Sequence, residues 1–456
     1  MNTIAAISTA TGTGGIGIIR MSGNECFEIL QKIFIPKNKE KEICGYTIKY
    51  GNIVNPKNDE IVDEVLVSYF KSPLSYTTEN MCEINSHGGM IIQRKILELC
   101  LENGAELAQP GEFTQRAFLN GRIDLAQAES VIDIINSKTD AEAKASINQL
   151  EGILSNNISE IRNQLLDVMA DMEANIDYPE YDIEEITNKK ILGVLENVKQ
   201  KLISLENSFA CGKILKDGVK TAILGKPNAG KSSLLNTILK EERAIVSEYE
   251  GTTRDTIEEF INVNGIPLKI IDTAGIRDTE DQIEKIGVSK AIKIAEEADL
   301  IIAIFDCTKK LDEQDLKILE IIKNKNAIIL LNKIDLENNL LKEDEQIEKC
   351  MKPVIQISAQ KNIGVDKLYA LITKMFNIGN IKENDGTVIT NVRHKNQINK
   401  AINSLDEAIS TIGAGMPIDI IAINIKQTLS DLGKITGDDV SEDIIKEIFS
   451  KFCLGK

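Results

Sequence analysis

The sequence predicts an α/β plus all-α chain, in which a doubly wound α/β domain is inserted between two helical segments and preceded by a mixed α/β segment. Three observations carry this. Short apolar runs alternate with helical patterns between residues 219 and 357. Apolar residues recur at steps of three and four on both sides of that region. Before residue 118, strand-like runs are punctuated by glycine.

In residues 1–118, Ile16-Gly17-Ile18-Ile19 and Ile61–Val67 read as strands, with Gly14, Gly15, Gly88 and Gly89 as breaks. The period then changes. Ile147, Leu150, Leu154, Ile158, Ile161, Leu165, Val168 and Met172 form one apolar stripe, which predicts one long helix. Residues 175–182, with Pro179, should break it. Ile191, Leu195, Val198, Leu202 and Leu205 predict a second helix, and Ile398, Ile402, Leu405, Ile409 and Ile412 a third. Between them, Val219–Leu224, Lys269–Ile271, Leu300–Phe305, Ala327–Leu331 and Val354–Ile357 read as strands of a buried, mostly parallel sheet. Helices on both sides of one such domain suggest a single bundle interrupted by an insertion. The domains expected are 1–118, a discontinuous helical domain of 119–216 and 379–456, and the inserted 217–378.

Composition narrows the function classes. The chain has 456 residues, a formal net charge of −17, 4% aromatics and no Trp. An acidic, aromatic-poor chain is a poor candidate for coating nucleic acid or stacking single strands. The eight cysteines form no CxxC pair. With no basic, apolar leader in the opening residues, they read as reduced thiols of a cytoplasmic protein. No run of about 18 apolar residues predicts a membrane span.

The chemistry sits in the inserted domain. Gly225-Lys226-Pro227-Asn228-Ala229-Gly230-Lys231-Ser232 fits GxxxxGK[ST] after a strand and before a helix. Such a loop turns backbone N–H groups toward phosphate, aided by the positive end of the helix. Lys231 puts a charge at the β- and γ-phosphates, and Ser232 offers an oxygen to Mg²⁺. Asp272-Thr273-Ala274-Gly275 supplies a metal-side aspartate and a γ-phosphate-sensing glycine. Thr253, in Gly251-Thr252-Thr253, suits the second hydroxyl on Mg²⁺. In Asn332-Lys333-Ile334-Asp335, the Asp335 carboxylate accepts two hydrogen bonds from the guanine N1–H and N2 amino group, whereas adenine would offer it a lone pair. Lys333 can lay its stem along the base. A backbone N–H in Ser358-Ala359-Gln360 can reach guanine O6. Four motifs in order predict GTP binding and hydrolysis. The position after the Asp272-Thr273-Ala274-Gly275 glycine is Ile276, which cannot orient water, so another group must. Asp278, Glu280, Asp281 and Glu284 remain open by residue type alone.

Three further stretches are Gly14–Gly23, Pro110–Glu129 and Ile448–Lys456 with its terminal Cys453-Leu454-Gly455-Lys456. With them, essentially the whole chain resembles the MnmE (TrmE) family of tRNA modification GTPases. The resemblance implies an N-terminal folate-binding and dimerising domain, a helical domain built from both sides of the insertion, and an inserted Ras-like G domain. It implies homodimers that join the flavoprotein MnmG (GidA) in a heterotetramer. That complex adds an aminomethyl-type group, most often carboxymethylaminomethyl, at C5 of the wobble uridine of certain tRNAs. The one-carbon donor is 5-formyl- or methylene-tetrahydrofolate, and FAD belongs to the partner. By position, Arg20, Glu83, Arg122 and Lys456 resemble folate contacts, Arg122 standing where lysine can occur. Glu284 resembles the water-orienting acid, alongside Lys231 in catalysis. Asn228, Ser247, Tyr249 (backbone) and Thr252 resemble a K⁺ site, and the nucleotide contacts extend to Ser233, Glu248 and Glu250. Cys453 resembles a functional thiol near the folate site. Asn424 and Ile425 stand where the family tends to carry acids. The competing class is a regulatory or ribosome-assembly GTPase switch. Such proteins often append a GxxG-bearing RNA-binding module, and no GxxG follows residue 378.

Overall fold

The computed structural model describes residues 2–10, 12–38, 46–177, 184–241, 259–271, 287–336, 344–376 and 387–456. These form two compact units: residues 1–132, 150–163 and 426–456, and residues 133–149 and 164–425.

The first unit is built on a sheet of β1 (Ile4–Ile7), β2 (Ile16–Ser22), β3 (Phe34–Pro36), β4 (Thr47–Asn55), β5 (Glu60–Phe70), β6 (Met81–His87) and β7 (Glu106–Leu107). The order is β3-β4-β5-β6-β2-β1-β7. Every pairing is antiparallel except that of β1 with β7. Strand alternation sends Ile19, Met21, Val65, Val67 and Ile84 to one face, where they pack with Cys26, Ile29 and Leu30 of α1 (Cys26–Ile33) and Ile96 and Leu99 of α2 (Met90–Glu102). The other face carries the register partners Arg20 and Glu83, and leaves Ile48, Tyr50 and Leu66 exposed. Helices α3 (Glu112–Leu119) and α4 (Leu125–Asn136) follow.

The expected long helix is two helices, α5 (Asp140–Leu150) and α6 (Ile153–Asp177). The break is at Gly152, whose φ of 87° suits the left-handed residue that ends a helix. The Gln127 side chain donates to the Leu150 carbonyl at 2.8 Å, satisfying that end. A continuous 3.6-residue period therefore hid a two-residue interruption. Helix α6 reaches Asp177, past the start of the expected break; Pro179 lies outside the described residues.

Helix α5 starts with a capping arrangement. Thr139 Oγ1 accepts the Glu142 N–H at 3.1 Å, and the Glu142 carboxylate accepts the Lys138 N–H at 2.7 Å. Burial raises the Glu142 carboxyl from 4.5 to about 6, the Lys138 bond opposing it. A raised acid favours the folded state only while it stays protonated. Its unfolded form ionises first, so stability falls as pH rises from about 4.5 through 6. Glu142→Gln should therefore gain on the unsubstituted chain by up to about 2 kcal/mol between pH 4.5 and 7. Urea midpoints at the two pH values check this, and a constant difference would refute it.

The second unit continues with α7 (Glu184–Asp217) and a six-stranded sheet. Its elements are β8 (Val219–Leu224), α8 (Lys231–Glu241), β9 (Glu259–Val263), β10 (Ile266–Ile270), α9 (Gly287–Glu297), β11 (Leu300–Asp306), α10 (Glu313–Ile322), β12 (Ala327–Asn332), α11 (Glu345–Lys349), β13 (Val354–Gln356) and α12 (Val365–Phe376). The order β13-β12-β11-β8-β10-β9 is parallel except for the edge strand β9. Both faces are buried: Ile302 and Ile304 enter one core, and Ile301, Ala303 and Phe305 the other. The winding reverses at β8, and ligands of such sheets bind beyond the carboxyl ends of the strands at that point.

Helix α13 (Val392–Gly413) follows the inserted sheet and packs on α7, which precedes it. Lys395 pairs with Glu206 at 3.4 Å and sits 4.7 Å from the Phe209 ring centroid, and Lys199 pairs with Asp406. Helical pieces from both sides of the insertion thus meet. The chain ends with α14 (Ile418–Thr436) and α15 (Glu442–Ser450). Among the described residues, no helix is long and apolar enough to cross a membrane.

Candidate functional site

The loop Gly225–Gly230 joins β8 to α8 at the point where the winding reverses. Asn228 has a φ of 62° and Gly230 a φ of 109°. A Cβ on Gly230 would lie 2.0 Å from Asn332 Nδ2, so only glycine lets the loop pass so close to the end of β12. The Lys231 Nζ donates to the carbonyls of Gly225 at 2.7 Å and Lys226 at 2.8 Å. Its ammonium therefore hangs inside the loop, and burial pulls its pKa below the usual lysine range. A cation partly stripped of water over an N–H-lined loop at a helix start suits a polyphosphate. Lys226 points elsewhere, to Asp312 at 2.7 Å and Asp315 at 2.5 Å. Asp312 caps α10 in a capping box, so this pair moors the phosphate loop to a neighbouring helix start.

Asn332 is 3% exposed and ties two loops together. Its Nδ2 donates to the Ala229 carbonyl at 2.8 Å, and its Oδ1 accepts the Ala359 N–H at 2.9 Å. Lys333 has a φ of 70°, and its ammonium meets Asp306 at 2.6 Å. Burial works against the Asp306 charge, but the bonds from Lys333 and Thr308 outweigh it and hold the carboxyl below its usual range. The Asp335 carboxyl is also held low, chiefly by the Ser358 hydroxyl, with Lys361 3.6 Å away. It is thus an ionised acceptor in a fixed position, as a guanine edge requires.

Ser358 pairs with Ile363 through two backbone bonds, of 3.0 and 3.1 Å. With the Ala359 N–H on Asn332, Gln360 supplies the N–H of the three that bonds no described residue. The Thr237 hydroxyl, on α8, donates to the Ala359 carbonyl at 2.7 Å. Residue type gave no signal for Thr237 on α8, Asp306 at the end of β11, or Asp312 and Asp315 at the start of α10.

Ser232 and Ser233 are exposed at the start of α8. Ser247, Glu248, Tyr249, Glu250, Gly251, Thr252, Thr253, Asp272, Thr273, Ala274, Gly275 and Glu284 lie outside the described residues, as do Ile276, Asp278, Glu280 and Asp281.

A second cluster lies in the first unit. Arg20 Nε and Nη2 donate to one oxygen of Glu83 at 3.0 and 2.7 Å, and Arg20 Nη1 to the Gly455 carbonyl at 3.3 Å. Gly455 also accepts from the Ser8 hydroxyl at 2.9 Å, so the terminal segment is laid against β1 and β2. Arg122 stands 4.4 Å from the Tyr76 ring centroid and Arg20 5.5 Å from it. Lys456 follows Gly455, and the Cys453 carbonyl accepts the Gly111 N–H at 3.3 Å with its side chain exposed. Arg20 and Glu83 thus touch, Arg122 joins them through Tyr76, and Lys456 and Cys453 belong to the docked segment. Two guanidinium groups flanking an aromatic ring suit a flat ligand that carries carboxylates.

The doubly wound sheet, the glycine loop at its switch point and the fixed carboxylate beside it define a P-loop guanine-nucleotide-binding protein. A family model described as the MnmE helical domain matches residues 125–453, and one described as the GTP-binding protein TrmE N-terminus matches residues 3–122. The chain is 50% identical over 457 residues to the tRNA modification GTPase MnmE of Acetivibrio thermocellus, covering 100% of this chain and 99% of that protein. It is 49% identical over 453 residues to the tRNA modification GTPase MnmE of Finegoldia magna, covering 99% of each chain. To the Clostridioides difficile protein of that name it is 49% identical over 459 residues, with 100% and 99% covered. The chain belongs to the MnmE (TrmE) family.

Proposed function

We propose that this chain is the GTP-hydrolysing subunit of a cytoplasmic complex that modifies the wobble uridine of certain tRNAs. The observation that carries the reading is Asn332, which binds the phosphate loop with one end of its amide and the base-reading loop with the other. One side chain that ties the loop for phosphate to the loop for the base supports a single nucleotide site, the ionised Asp335 beside it favours guanine, and the family names tRNA modification as its use.

In this reading residues 217–378 are the G domain, 119–216 with 379–456 the helical domain, and 1–118 the folate-binding and dimerising domain. Lys231 exchanges its two carbonyl partners for phosphate oxygens, beside the amides of residues 228–233. Ser232 and Thr253 hold Mg²⁺, with Asp272 on the metal side and Gly275 at the γ-phosphate. Asn228, Ser247, Tyr249 and Thr252 hold K⁺, and Glu284 orients the water that Ile276 cannot. When bound, the two cations offset negative charge on the transferring phosphoryl group. Arg20, Glu83, Arg122 and Lys456 hold the tetrahydrofolate donor. The exposed Ile48, Tyr50 and Leu66 support the N-terminal sheet face as the homodimer contact. The flavoprotein MnmG brings FAD and, given this chain's charge of −17, much of the grip on tRNA.

Mass spectrometry of tRNA nucleosides from a strain lacking this chain tests the reading. The carboxymethylaminomethyl- or aminomethyl-type wobble uridine should disappear and return on complementation. Unchanged uridines with defective ribosomal subunits would instead mark a ribosome-assembly switch.

A further inference from the structure

We propose that Thr237 is a specificity-positioning residue, which sets the backbone amide that reads O6 of the guanine. The inference rests on the guanine-binding reading above and deepens it.

The base-reading loop is held at three points. Ser358 and Ile363 exchange backbone bonds on its far side. Asn332 takes the Ala359 N–H at 2.9 Å. The Thr237 hydroxyl takes the Ala359 carbonyl at 2.7 Å, while lying 2.9 Å from the Ser233 carbonyl in its own helix. Its one hydrogen favours the shorter contact.

The Ala359 carbonyl and the Gln360 N–H belong to one peptide unit. That unit is planar and trans, so the two groups point in opposite directions. Holding the carbonyl toward α8 turns the Gln360 N–H away from α8. This is the amide left over once Ser358 and Ala359 have spent theirs. A hydrogen bond to the carbonyl also polarises the N–H of the same unit and makes it a better donor. Ala359 is 1% exposed, so water cannot readily replace a lost hydroxyl at its carbonyl. Thr237 sits on the helix that begins at the phosphate loop, so the two ends of the site are joined by a bond independent of Asn332.

The test uses equilibrium titrations of the full chain with diphosphates, which avoid turnover: GDP, 6-thio-GDP, IDP and ADP. The 6-thio compound keeps the N1–H and N2 groups and weakens only the acceptor at position 6. IDP keeps O6 and loses the N2 amino group. Thr237→Val is nearly isosteric and lacks the donor, and it should lower GDP affinity about fivefold. Affinity for 6-thio-GDP should fall much less, so that ratio narrows, while the ratio of GDP to IDP stays unchanged. Thr237→Ser should restore the pattern. An equal loss for all three guanine-type ligands, or no loss, overturns the proposal. If Thr237→Val alters the urea midpoint, Thr237→Ala supplies the same comparison in a strong helix former. Failure of the unsubstituted chain to prefer GDP over ADP would overturn the guanine reading itself. An intact preference with an unresponsive Thr237→Val overturns the Thr237 role alone.

Discussion

Asp335→Asn is expected to lower GTP affinity by roughly 10²- to 10⁴-fold and to create affinity for xanthosine triphosphate. The carboxylate is held ionised by the Ser358 hydroxyl and by Lys361, and its side chain is only 10% exposed. It is an acceptor on both oxygens. Guanine presents two donors on one edge, so the match is complete. An amide at residue 335 keeps one acceptor and gains one donor. That donor faces the guanine N2 amino group, and two buried donors are then left without partners. Xanthine carries a carbonyl where guanine carries the amino group, which restores the pairing. Parallel titrations with the two nucleotides check both halves. Loss of guanine affinity without a gain for xanthine would mean that Asp335 shapes the loop rather than reads the base.

Gly230→Ala should abolish usable nucleotide binding, a fall of roughly 10²- to 10⁴-fold, while the first unit stays folded. Two costs combine. The φ of 109° is strained for any residue with a Cβ, at about 1–3 kcal/mol. The methyl group would also fall 2.0 Å from Asn332 Nδ2, so the amide must swing away and leave the Ala229 carbonyl unpaired. A buried polar group without a partner costs about 1–3 kcal/mol more. Isothermal titration with GDP reads the affinity, and limited proteolysis reports whether the remaining chain holds its shape. Near-native affinity would show that the loop relaxes around the methyl group at little cost.

The inserted sheet was legible because its strands are buried on both faces. Leu300–Asp306 and Ala327–Asn332 are almost unbroken apolar runs, as strands covered on both faces require. Edge strand β9, Glu259–Val263, was not, since Glu259 and Asn262 interrupt it and its pairing with β10 is not written in its own residues. The helix break at Gly152 was missed for the opposite reason: the apolar spacing runs through it, and the Gln127 side chain that caps it comes from another helix. In the site, the phosphate and base motifs were legible as local patterns. Their connections were not. Arg20 faces Glu83 because of strand register, across 63 positions, and Asn332 reaches Ala229 across 103. Tyr76, between two arginines, has no distinguishing neighbours in the sequence. Resemblance supplied Arg20, Glu83 and Arg122 as a set, where residue type alone supplied only charges.

The amide of Asn332 has a consequence for nucleotide exchange. Because one side chain closes on Ala229 and Ala359 together, a movement of the phosphate half of the pocket strains the base half and the reverse. An opening wide enough to release spent GDP must therefore part these two bonds, and with them the Thr237 bond to Ala359.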